Sequence, residues 1–60
     1  MSAYPIQLAP IRAAKSRCAW LRLSHNRTRA AIRAAIAAMA AGHSASRAYA
    51  DACASIRKGE

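Results

Sequence analysis

The chain has 60 residues, enough for one small domain near the size at which a single hydrophobic core becomes marginal. Its apolar share of 55% overstates that core, because 18 of these residues are alanine, and Phe and Val are absent. Ten basic residues face two acids, Asp51 and Glu60, giving a net charge of +8 with nothing acidic before position 51, which excludes catalysis by a carboxylate pair.

Residues 1–9 read as an extended arm. Pro5 and Pro10 each push the residue before them towards extended geometry, and Ile6 and Leu8 could lay their side chains on a helical core or the arm could reach out to a partner. Pro10 then suits the first turn of a helix, where its missing N–H costs nothing.

From Pro10 to about Leu23 the pattern is helical. Ile11, Ala14, Cys18 and Leu21 recur at three- and four-residue steps and predict one apolar face, with Arg12, Lys15 and Arg22 in a neighbouring arc. Residues 18–24 also alternate as a strand would, but a lone strand among helices has no partner, so helix is preferred. Trp20 is expected in the core, which is short of large groups.

Ser24 and Asn26 are both good N-cap residues, so a second helix is predicted over about 27–41, burying Ile32, Ile36 and Met39. Arg27, Arg29 and Arg33 fall in its first half, where acids are favoured by the helix dipole. Three cations there are locally unfavourable unless an anion sits nearby. Gly42 ends this helix as a left-handed C-terminal residue, and Ser44 caps a third helix over about 45–58. Tyr49, Cys53 and Ile56 form its expected inner face. Arg47 and Asp51 are spaced for an ion pair, and Arg57 and Lys58 suit its negative C-terminal end.

The fold class predicted is all-α: one small three-helix domain, a helical hairpin plus an N-terminal helix. With so few bulky apolar groups, a monomer is expected to be weakly stable. A partner, a homodimer or tight packing of alanine faces would supply the missing burial.

Motifs for chemistry are sparse. No Gly-rich phosphate loop exists, since the glycines are Gly42 and Gly59, and no nucleophile motif surrounds any Ser, His or Cys, so no enzyme and no cofactor are expected. Cys18, His25, His43 and Cys53 match no usual zinc spacing, so no metal site is expected. The N-terminus lacks a signal peptide pattern, which points to a cytoplasmic protein with free thiols. An acid-free, Arg- and Ser-containing N-terminal half also matches a mitochondrial transit peptide, but almost no mature chain would remain.

The second and third helices match the outline of a DNA-binding helix-turn-helix, with Ala38 four residues before Gly42. Yet His43, Ala48 and Asp51 stand where that motif wants apolar residues, so a plain antiparallel hairpin is preferred.

Charge therefore carries the functional reading. Arg12, Lys15, Arg22, Arg27, Arg29 and Arg33 are the expected binding residues, on the first two helices and their junction. Arginine suits bidentate phosphate contact, so nucleic acid is the leading partner. The alternative is an adaptor or inhibitor docking its helices on an acidic protein surface. Membrane binding is disfavoured, because alanine faces insert weakly. A GC-rich genome would inflate Ala and Arg but does not explain the missing Asp and Glu. The size, the lack of catalytic groups and the Ala/Arg bias suggest a small accessory protein of such a bacterium or its phage.

Overall fold

The computed structural model describes residues 6–58 and contains three helices: α1 (Leu8–Trp20), α2 (His25–Ala40) and α3 (Ala45–Lys58). No strand occurs among the described residues. The all-α three-helix architecture expected from the periodicity is the one formed.

Two similar links join the helices. Each helix before a link ends in a Schellman turn, and each helix after it starts at a serine N-cap. After α2, Gly42 takes a left-handed φ of 93°, while the Gly42 N–H donates to the Met39 carbonyl and the His43 N–H to the Ala38 carbonyl. After α1 the same pair of bonds runs from Arg22 to Ala19 and from Leu23 to Cys18. The left-handed residue here is Arg22, with φ 56°. Its Cβ makes that conformation costly, by about 1–2 kcal/mol. Leu23 offsets the cost by turning back onto the core cluster that contains Cys18. Ser24 Oγ then accepts from the Arg27 N–H at 3.3 Å, and Ser44 Oγ from the Arg47 N–H at 3.2 Å.

Three predicted boundaries are corrected. α1 starts two residues before Pro10, which still occupies the first turn, so the arm contributes only Ile6 and Gln7 to the described residues. The rest of the expected arm, residues 1–5, lies outside them. α1 also stops at Trp20 rather than Leu23, since the Arg22 turn carries no glycine to announce it. α2 begins at His25 because Ser24, not Asn26, is the cap.

The core is an alanine core. Ala14 and Cys18 from α1, Ala31, Ala35, Ala38 and Met39 from α2, and Ala48, Ala52 and Ile56 from α3 are buried. Helices with small residues in contact approach closely, which keeps dispersion contacts dense although each side chain is small. Ala14, Cys18, Met39 and Ile56 are buried as expected, but on α2 and α3 the rest of the expected face shifts by about one position. On α2, Ile32 is half-buried and Ile36 is exposed, because bulky residues in the seam would hold α3 away. On α3, Tyr49 and Cys53 are half-buried and flank the Ala48–Ala52 stripe. On α1, Ile11 is half-buried and Leu21 is exposed beyond the helix end.

The interface between α2 and α3 is the most extensive of the three. Arg27 in the first turn of α2 donates from Nη2 to the carbonyl of Ile56, near the end of α3, at 2.9 Å. The third helix thus runs back along the full length of the second as an antiparallel hairpin. A helix-turn-helix, whose helices cross at roughly 90–120°, would carry that end away.

Two stability outcomes follow from this packing. Ala35→Leu forces the α2–α3 seam apart and lowers the unfolding free energy by about 1–3 kcal/mol in chemical denaturation. The exposed control Ala30→Leu stays within about 0.5 kcal/mol. Arg22→Gly relieves the left-handed strain and raises stability by about 1 kcal/mol, seen as a melting temperature several degrees higher.

Candidate nucleic-acid interface

The helix packing decides which basic residues become neighbours. The Arg27–Ile56 bond brings the start of α2 to the end of α3. Arg17 and Leu21 of α1 line an open groove of about 370 Å³ together with Tyr49, Cys53, Ile56 and Arg57 of α3. A second opening of about 260 Å³ lies between Arg27 and Ala30 of α2 and Ser55, Ile56 and Lys58 of α3. The C-terminal ends of α1 and α3 therefore meet the N-terminal end of α2 at one pole. The other pole is marked by Gln7, whose backbone N–H donates to Met39 Sδ at 3.3 Å.

Six of the ten basic residues stand at or next to the first pole: Arg17, Arg22, Arg27, Arg29, Arg57 and Lys58. Helix dipoles make the cluster tolerable. Arg17, and Arg57 with Lys58, occupy the last turns of α1 and α3, where carbonyl ends favour cations by about 0.3–1 kcal/mol each. Asp51, the one acid among the described residues, is already engaged by Arg47 Nε at 3.2 Å.

The six residues expected from sequence divide into two groups. Arg12, Lys15, Arg22, Arg29 and Arg33 are exposed. Arg27 is half-buried and spends its guanidinium on the Ile56 carbonyl, so it is a tie between helices as much as a surface cation. This also revises one argument for an anionic partner: a cation that opposes the dipole of α2 is partly satisfied by the carbonyl end of α3.

Arg22 and Arg27 belong to the pole with Arg29 close by. Arg12 and Lys15 lie on the flank of α1 opposite Arg17, as helical spacing requires. Because the Arg17 edge of α1 and the Arg27 edge of α2 both face α3, the Arg12–Lys15 flank falls on the α1–α2 side. On α2, Arg29 and Arg33 frame an open depression of about 410 Å³ with Asn26 and Ala30. That depression shares Ala30 with the α2–α3 opening, so the basic surface runs from the pole onto the outer side of α2.

Sequence spacing missed Arg17, Arg57 and Lys58 as members of that surface. Arg57 and Lys58 are legible as dipole partners of α3, but nothing local places them beside Arg22. The expected burial of Trp20 is overturned: its side chain is 80% exposed. Cys18, Leu23 and Ile56 already close the core at this end, and the turn at Arg22 leaves the indole outside it.

Tyr49, in the groove, is held above the usual phenol range by hydrogen bonding to the Cys53 side chain and by the negative charge a Cys53 thiolate carries; Arg17 opposes this. Cys18 and Cys53 are free thiols. His25 is the first residue of α2 and His43 lies in the second link, each next to a serine cap, and no cluster of three or more His, Cys, Asp or Glu forms among the described residues. No described helix is long and apolar enough to cross a membrane.

Removing the Arg27 tie tests its structural role. Arg27→Gln loses the charge-assisted bond to Ile56 and destabilises the chain by about 1–2 kcal/mol. Hydrogen exchange should quicken first in the last turn of α3, ahead of the Ala35–Ala48 seam.

Comparison with known proteins gives no matching family model, no similar curated protein and no similar solved structure.

Proposed function

We propose that this chain is a small, basic, non-enzymatic cytoplasmic regulator that binds nucleic acid through phosphate contacts. The observation that carries this reading is the convergence of three helix ends on one pole. It sets Arg17, Arg22, Arg29, Arg57 and Lys58 together on a molecule of +8 charge. Arg12 and Lys15 on α1 and Arg33 on α2 add further exposed cations. Such a surface tracks a phosphate backbone, and it binds strongly while discriminating little between sequences.

A second reading rests on the groove between α1 and α3. Leu21, Tyr49 and Ile56 offer apolar surface there, with Arg17 and Arg57 beside it. An acidic protein segment with one apolar anchor side chain fits that chemistry. The two readings separate experimentally, because a groove binder depends on Leu21 and a phosphate binder does not.

The purified chain should bind a labelled random-sequence duplex at low salt and lose affinity steeply towards physiological salt. Replacing Arg22, Arg29 and Arg33 together with Ala should abolish detectable binding and leave the far-ultraviolet helical signal intact. Partial loss should still lower the salt slope by roughly one unit per phosphate contact removed. If helicity collapses instead, these arginines are structural and the reading loses its support. Binding retained by the triple variant but lost in Leu21→Asp would favour the acidic-segment reading.

A further inference from the structure

We infer that Trp20 is a stacking platform for an unpaired base, so that the chain prefers single-stranded nucleic acid to duplex. The inference rests on the phosphate-binding reading above and adds the conformation of the ligand to it.

Trp20 is the only tryptophan of the chain and the last residue of α1. At 80% exposure it is the most exposed of the large apolar side chains among the described residues, in a domain whose buried residues are mostly alanine. A chain this short of core volume leaves its largest apolar group in water. The Schellman turn at Arg22 is what holds it there. Leu23 is drawn to the core and Leu21 is left half in water, while the helix stops before the indole can reach a neighbouring element.

The surroundings of the indole are cationic. Arg17 lies one turn back on α1, and Arg22 follows two residues later in the left-handed position. Arg57 lies across the α1–α3 groove from Arg17 and Leu21. A flat aromatic face among arginines that contact phosphate is the arrangement by which proteins hold single strands: cations track the backbone while bases stack on the ring. In a duplex the base faces are occupied by one another, so only the phosphates are available to this site. An anionic lipid surface is the other partner that an exposed indole among cations can meet. Among the described residues, Leu21 is the one other exposed large apolar group beside it, and a single leucine next to the indole makes a small insertion face. Leu8 belongs to the far end of α1, Ile6 precedes it, and Ile36 lies on α2.

The probes are an oligothymidine strand of about a dozen nucleotides, the equivalent abasic strand of equal charge, and a duplex of the same length. Trp20 fluorescence reports on binding directly, since no other tryptophan interferes. The expected result is quenching by oligothymidine, little quenching by the abasic strand or the duplex, and an affinity for oligothymidine that exceeds the abasic strand by roughly 5- to 100-fold. In anisotropy titrations of labelled strands, Trp20→Ala should erase that difference and leave abasic-strand binding unchanged, and Trp20→Phe should restore part of it. Circular dichroism of both variants should match the parent, since Trp20 lies outside the core.

Equal affinity for the three probes with no quenching would overturn the stacking role and leave the phosphate reading standing. No binding to any probe at low salt would overturn both. A blue shift of the emission with phosphatidylglycerol vesicles, at affinity higher than for oligothymidine, would overturn the inference in favour of a lipid surface.

Discussion

The structure depends on how closely α2 can lie against α3. Ala31, Ala35 and Ala38 meet Ala48 and Ala52, and none of these five side chains extends past its Cβ. A small chain with few large apolar groups cannot fill a wide interhelical space, so it removes the space. Dispersion contacts between backbones and methyl groups then do what bulky side chains do in larger cores. The consequence is geometric as well as energetic. A close antiparallel seam aligns the start of α2 with the end of α3, which lets Arg27 reach the Ile56 carbonyl.

From that alignment comes the distribution of charge. Two helix C-termini and one N-terminus share a pole, so the partial charges of the exposed carbonyl ends outweigh those of the amide end. Cations at the ends of α1 and α3 are stabilised individually. Their mutual repulsion remains, and it grows as salt falls. A bound polyanion relieves that repulsion and, by binding only the folded form, raises the stability of a domain with little to spare. The thin core and the basic surface both follow from one composition, rich in Ala for packing and in Arg for surface charge.

The two links show how local chemistry and tertiary demand trade places. At Gly42 the residue itself permits the left-handed turn, and the turn would form in almost any context. At Arg22 the residue resists it, and burial of Leu23 imposes it. The same imposed turn exposes Trp20 and Leu21. A feature that is locally unfavourable and globally enforced is where a functional surface is expected to sit, and here it coincides with the arginine cluster.

The all-α class, three helices, the Gly42 stop, the Ser44 cap, the Arg47–Asp51 pair and the excess of arginine were all legible in the sequence. Each depends on residues within about one helical turn of one another, whose preferences act without knowledge of the rest of the chain. The faces were legible only in part: Ala14, Cys18, Met39 and Ile56 are buried as periodicity indicated. On α2 it also pointed to Ile32 and Ile36, whereas the packing chose alanines one position away, and Trp20, expected in the core for its size, stands outside it. Nor could spacing place Arg57 and Lys58 beside Arg17, or take Arg27 out of the free cations. Those outcomes were decided by the distance of closest approach between helices far apart in sequence, a quantity set by all their side chains together.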